Sequence, residues 1–198
     1  LSDDASWSLH VVRLMIGMTV HHYMTTKEDI SQIVLVNAKS MPADEEPDFS
    51  EFMEQYGYDT AAQEVVVNDA YYVDLTSTDT SNLYSYQSLQ TVIAGGGVDV
   101  LGADEMVFEN LAQSGAIADL TQYFSKDELE QLKDYIFYVE DKDTGDTFAA
   151  GIRLGAGSWP VEHGYYEKEC ILGIALGSEH KEAAEQMFRY LLEKSNLD

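Results

Sequence analysis

Apolar and polar positions along this chain fall into blocks with two different periods. The run SQIVLVNA (31–38) is short, β-branched and almost continuously apolar, the pattern of a buried strand. Phe49, Phe52, Met53 and Tyr56 then follow at i, i+3, i+4 and i+7. This predicts a helix capped by Asp48, with Glu51 at capping-box spacing and Gly57 as its stop. EVVVNDAYYVDL (64–75) predicts a second strand or strand pair. SYQSLQTVIAGGG (85–97) predicts a helix with Tyr86, Leu89 and Ile93 inward, ended by three glycines, and VDVLGA (98–103) a short buried strand.

The second half continues the alternation. Asp104 is placed to cap a helix that turns Val107, Phe108 and Leu111 inward and ends at Gly115. Ser125 to Glu128 form another capping box, opening a helix that buries Leu129, Leu132 and Ile136. IFYVE and TFAAGIRLG flank DKDTGD as a β-hairpin with an Asp/Gly turn. CILGIALGS (170–178) predicts a strand, and HKEAAEQMFRYLLEK a last helix with Ala184, Met187, Phe188 and Leu191 inward. The order implies an α/β layered sandwich with the late β-hairpin as an antiparallel addition.

Residues 1–28 follow a different pattern and are set apart as an appendage to an α/β domain at 29–198. From Trp7 to Val20 the chain is nearly continuously apolar, broken by His10 and Arg13. Val11, Leu14, Met15 and Met18 lie at helical spacing, with Val12, Ile16 and Val20 on the other side. A bilayer span needs about 20 apolar residues, so this stretch is too short to cross one. It predicts a helix packed on the domain or on a partner, a second copy of the chain included. The alternative is the end of a membrane anchor whose upstream part is missing.

Charge narrows the partners. The chain of 198 residues has 36 Asp and Glu against 11 Lys and Arg, a formal net charge of −25. Positions 40–125 hold sixteen carboxylates and no Lys or Arg. Phosphate-backbone binding depends on cationic side chains that release counterions, and anionic membrane surfaces repel such a stretch. Nucleic acid and peripheral lipid binding are therefore excluded as expectations. With 45% hydrophobic and 11% aromatic residues the chain can build a core. The single Cys170 rules out an internal disulfide framework.

Two segments resemble the extracellular solute-binding proteins of ATP-driven importers, which have the bilobed type-2 periplasmic binding fold. The first is YQSLQTVIAGGGVDVLGADEMVFENLAQSGAIADLTQYFSKDELEQL, similar to that family's helix, Gly-Asp-Val strand, glycine-ended helix and turn into a helix. The second is GIALGSEHKEAAEQMFRYLLEK, similar to the strand, polar cap and Ala-Ala helix near the family's end. Together they cover about 70 of the 198 residues. Family members are about twice as long, and between Tyr138 and Cys170 there is room only for a hairpin and a loop. The resemblance therefore implies one lobe or a strongly reduced two-lobe protein. It further implies an extracellular or surface-anchored, non-enzymatic binder of a sugar, amino acid or peptide, working with a membrane permease and without a cofactor. The alternative is a degenerate member that has lost its cleft and serves as a protein-interaction module at the cell envelope.

Ligands of open α/β sheets sit beyond the carboxyl ends of the strands, near a switch in strand order. This points to Asn37–Ser40, Tyr72–Thr76 and Ala103–Glu105, with Asn37, Tyr72, Asp104 and Glu105 as candidate contacts. Trp159, in GAGSWP, could stack on a flat ligand or plug a core edge. Asp104 has its cap role as a sufficient alternative. In DKDTGD, Gly145 and Asp146 occupy positions 5 and 6, inverted from a calcium loop, which favours a solvated turn. Adjacent His21 and His22 diverge on a helix and have no partner to complete a metal set. No nucleophile elbow or phosphate loop is present. With so few cations near the strand ends, a neutral or cationic solute, or a basic protein surface, is the expected partner.

Overall fold

The computed structural model describes residues 27–197. The expected helix at 7–20 and the His21–His22 pair lie outside the described residues. Six strands, β1 (Glu28–Leu35), β2 (Gln63–Asn68), β3 (Val100–Ala103), β4 (Ile136–Glu140), β5 (Thr147–Leu154) and β6 (Cys170–Ile174), form one open sheet in the order β2-β1-β3-β6-β5-β4. β1 runs parallel to β2 and β3, while β6, β5 and β4 follow antiparallel to their neighbours. Among the described residues six α-helices accompany the sheet: α1 (Ser50–Tyr56), α2 (Thr80–Ala94), α3 (Glu105–Gln113), α4 (Lys126–Gln131), α5 (Trp159–Glu162) and α6 (Lys181–Glu193). No helix among the described residues is long and apolar enough to cross a membrane.

Alternation along the strands builds two cores. Ile33, Leu35, Leu172 and Ile174 join Phe52 of α1 and Met187, Phe188 and Leu191 of α6 on one face. Val34, Val36, Leu101 and Ile171 join Leu89 and Ile93 of α2 and Val107, Phe108 and Leu111 of α3 on the other. The crossovers explain the split. From β1 the chain steps through α1 to β2, then through α2 back past β1 to β3. Crossovers of one hand that run in opposite directions must use opposite faces. Phe108 approaches the antiparallel half so closely that a Cβ added at Gly151 or Gly173 would lie 2.7 Å from its Cζ, so only glycine fits beneath that ring.

Several expected boundaries move. Of the second expected strand only 64–68 joins the sheet, in β2, because 69–75 spends polar groups on the side-chain bonds described below. α2 starts at Thr80, five residues early, after extended Asp79. Asp48 is not the cap residue of α1. Phe49 holds that position, and Asp48 accepts from the Ser50 N–H (2.9 Å) and Oγ, while Glu51 pairs with Lys194. The Ser125–Glu128 capping box forms, yet α4 ends at Gln131 and Ile136 opens β4 instead of burying from the helix. The hairpin over 136–154 forms where the pattern places it, and of the strand expected at 170–178 only Cys170–Ile174 joins the sheet.

Candidate functional site

β1 is flanked by β2 on one side and β3 on the other, so connections leave it in opposite directions and the switch in strand order lies between β1 and β3. Asn37 and Asp104 stand at the carboxyl ends of these two strands. Asn37 adopts a left-handed backbone, φ 57°, which Asn tolerates better than most side chains. From there its Nδ2 donates to Asp104 Oδ2 (2.6 Å) and to the Val73 carbonyl (2.8 Å), and its Oδ1 accepts from Val73 N–H (2.7 Å). Asp104 keeps its cap role as well, with Oδ1 accepting from Val107 N–H at 3.2 Å. The two candidate residues are thus brought together, and they are joined to each other and to the 69–75 loop.

Two tyrosines close the crevice on the other face. Tyr166, buried, donates its hydroxyl to the Val36 carbonyl (2.8 Å), and burial pushes its phenol far above the ordinary value. Burial, with Asp69 and Glu46 adding to it, pushes Tyr165 up to about 12. Trp159 is a core side chain, only 5% exposed, stacked on Tyr165 and packed against Phe49. It plugs the α1 side of this edge and does not join Asn37 and Asp104. Glu105 points to the antiparallel half, where it and Glu169 hold Arg153 at 2.8 and 3.0 Å, the guanidinium lying over Phe137.

The open space at this edge lies on the α2 side, outside the 69–75 loop. A cleft of about 330 Å³ is lined by Ala70, Tyr72, Asp74, Ser77, Asp79, Ser81, Asn82 and Ser85. Tyr72 is 67% exposed, and its carbonyl accepts from Ser85 Oγ. Asn82 fixes the loop by accepting from Asp74 N–H and donating to the Asp74 carbonyl, both at 2.7 Å. The Asp74 carboxylate accepts from Thr76 Oγ1 and N–H, bonds that hold it below the usual carboxylate range. The wall therefore offers hydroxyls, carboxylates and one aromatic ring, and no Lys or Arg. Among the described residues no group of three or more His, Cys, Asp or Glu is arranged to hold a metal ion.

Of the expected contacts, only Tyr72 lines this cleft. Ser77, Asp79, Ser81, Asn82 and Ser85 were not expected there. Their signal was the Ser/Thr/Asp/Asn cluster at 76–82, which marks a helix start. Placing the helix start at 85 hid it.

The opposite edge carries a different polar centre. Asp99, fully buried, accepts from Gln32 N–H (2.7 Å) and Ser178 Oγ (2.5 Å), and His180 Nδ1 lies 3.4 Å away. These bonds tie β1 to the approaches of β3 and α6. Beside this hub, an apolar groove of about 350 Å³ runs between the ends of α2 and α3. No protein-family model, no curated protein and no solved structure matches this chain.

Proposed function

We propose that this chain is a non-enzymatic, solute-binding-like protein of the cell exterior or surface, serving import or sensing. Its ligand is a small neutral or cationic solute held in the cleft between the 69–75 loop and the start of α2. One observation carries the reading: a cleft beside the switch in strand order, walled by hydroxyls, carboxylates and the exposed Tyr72 ring, with no cation in its lining. Hydroxyls and carboxylates suit sugar hydroxyls and ammonium groups, and an exposed ring suits a sugar face or an aliphatic stem. The resemblance of 86–132 and 173–194 to importer solute-binding proteins points the same way.

The test is a thermal-shift screen against sugars, amino acids, polyamines and short peptides. A ligand present at 100 times its Kd adds about 2.7 kcal/mol to the native state, which for a domain of this size raises Tm by roughly 5 to 10 °C. Tyr72→Ala is expected to abolish that rise while leaving the unliganded Tm within a degree or two, since the ring is mostly solvated. A screen without any shift would overturn the reading.

A second reading has its own support. Leu83 and Tyr84 are exposed on α2 beside Ser85, whose Oγ donates to the Tyr72 carbonyl, and such apolar groups suit a protein partner. A degenerate binding fold used as an interaction module would show no solute shift, and Leu83→Ser with Tyr84→Ser would weaken its association.

A further inference from the structure

We propose that the free edge of β2 docks an extended, Lys- or Arg-bearing segment of a partner protein, which joins the sheet as a further strand. This surface is separate from the cleft and serves whether or not the cleft holds a solute. β2 pairs with β1 alone, and among the described residues no strand lies beyond it. Glu28 N–H donates to the Ala62 carbonyl at 2.8 Å. Main-chain groups alternate in direction along a strand, so Glu64, Val66 and Asn68 turn theirs to β1 in this parallel register. Gln63, Val65 and Val67 turn theirs outward. The Asp59 carbonyl takes the Gln63 N–H at 2.7 Å, which leaves the N–H and carbonyl groups of Val65 and Val67 open to a new strand.

The edge lacks the devices that usually blunt one. QEVVVN contains no Pro and no Lys, and the extra residue in the β1–β2 register, Ile30, lies in β1. Its side chains are also incompletely covered. Val65 and Val67 pack only in part on the core beneath α1, and Val66 is half-buried without joining either core. A strand added about 4.8 Å outside β2 would put every second side chain on the α1 face. There a cleft of about 230 Å³ opens between α1 and β2, lined by Phe49, Met53 and Val65 and by the acids Asp48 and Glu64. In docking of this kind the main-chain bonds give affinity, and pockets for alternate side chains give selectivity.

Charge selects the partner. Glu64 is exposed within the strand itself, and Asp69 follows at its end. Asp48 accepts from the Ser50 hydroxyl and N–H, bonds that hold it below the usual carboxylate range and so keep it anionic. The one cation of the cleft lining, Lys27, is turned onto the Thr60 carbonyl at 2.8 Å. No Lys or Arg occurs from 40 to 125. A second copy of this chain, with a formal charge of −25, would bring its own Glu64 to the same edge and be repelled. Cationic side chains on an added strand would instead meet Glu64 and Asp48, which is the complementarity that fixes the partner's chemistry.

The test uses the full chain and three end-blocked peptides: alternating Val and Lys, alternating Val and Glu, and the first of these N-methylated at every residue. N-methylation keeps the charge and removes the main-chain N–H groups. Binding is read by fluorescence anisotropy at about 0.15 M salt, and strand pairing by amide hydrogen exchange. The Val and Lys peptide is expected to bind at least tenfold more tightly than the other two and to slow exchange at Val65 and Val67 at least tenfold. Val67→Pro removes an outward N–H and no bond to β1, and Glu64→Lys reverses the charge of the edge. Each is expected to weaken binding at least fivefold. If Val67→Pro does not fold, Glu64→Lys and the exchange of the parent chain decide. Equal binding of the N-methylated peptide would reduce the contact to charge alone and overturn the proposal. So would no binding, slowing at β4 in place of β2, or amides at 65 and 67 already slow in the free monomer, the sign of an edge already covered. Slowing that grows with protein concentration in the absence of peptide would assign the edge to a second copy and overturn it too.

Discussion

Residues 40–125 and 126–197 meet the same need for polar satisfaction with different means. The first stretch has no Lys or Arg, and its carboxylates accept main-chain N–H groups: Asp59 from Ala61, Asp69 from Met41, Asp104 from Val107, Asp119 from Thr121, and Asp99 from Gln32. The second stretch holds the cations, and these reach outward. Arg189 binds Glu128, Glu185 and the Tyr123 carbonyl and lies over Phe124, Arg153 joins Glu105 to Glu169, and Lys194 reaches Glu51. The division follows side-chain length. Every Lys or Arg ion pair among the described residues goes to a Glu, whereas Asp serves the backbone. Asp59, Asp104 and Asp119 reach N–H groups two or three residues on, Asp69 and Asp99 reach N–H groups brought close by the fold, and the longer Glu side chains meet the cations. Much of the acidic surplus is therefore turn and cap chemistry that needs no cation, which is how the stretch folds under such a charge.

If this contrast is right, the largest loss comes from a backbone-serving Asp and not from an ion pair. Asp99→Ala removes the acceptor from Gln32 N–H and Ser178 Oγ in a fully buried place. Orphaned buried donors cost about 3 kcal/mol together. Arg189→Met keeps most of the contact with Phe124 and removes partly exposed pairs, an expected loss of about 1 kcal/mol. Urea unfolding of both variants measures the difference. A larger loss for Arg189→Met would invert the comparison. Raising salt to about 1 M, where the Debye length falls to about 3 Å, should shrink the Arg189 effect and leave the Asp99 effect intact.

Next in size is Asn37→Ala, expected to cost about 2 kcal/mol. It gives up the bonds to Val73 and Asp104 and puts Ala in a left-handed backbone at φ 57°. Asn37→Gly should recover the conformational part alone. Hydrogen exchange at the Val73 amide separates the two terms, since both variants lose the acceptor there and are expected to exchange faster by a similar factor. An amide still protected in Asn37→Gly would show that the loop holds itself.

The core and the order of elements were legible because they rest on periodicity: Leu89, Ile93, Val107, Phe108, Met187 and Phe188 are buried where the spacing puts them. Asp104 and Ser125 were legible as caps because that chemistry is local. What escaped depends on contacts far along the chain. Val73 sits in an apolar run that suggests a strand, but its backbone groups go to Asn37, 36 residues earlier, and no local signal records this. Trp159 beside glycines allowed exposure, and only its packing on Phe49 and Tyr165 decides for burial. The cleft was half legible: Tyr72 was named, whereas the hydroxyls of 77–85 were hidden by placing the start of α2 too late.

The smallest effect probes the exception, a Glu that serves both the backbone and a cation. Glu128 accepts from Ser125 N–H at 2.7 Å and from Ser125 Oγ, and pairs with Arg189 at 2.7 Å. The Ser125 bonds first, then Arg189, lower its pKa from 4.5 to about 2. A carboxylate whose folded value lies below its unfolded one contributes stability that is fully present above pH 4.5. That stability is lost as pH falls toward about 2. Glu128→Gln keeps an acceptor at the capping-box position and removes the charge. Its Tm should therefore lie below that of the parent at neutral pH, with the gap narrowing from pH 4.5 downward and closing near pH 2. The carboxylate is partly solvated, so the gap stays small at every pH. A gap that persists unchanged at pH 2 would mean that the Glu128 charge contributes nothing to it and that the difference between the two side chains is one of shape and hydrogen bonding alone.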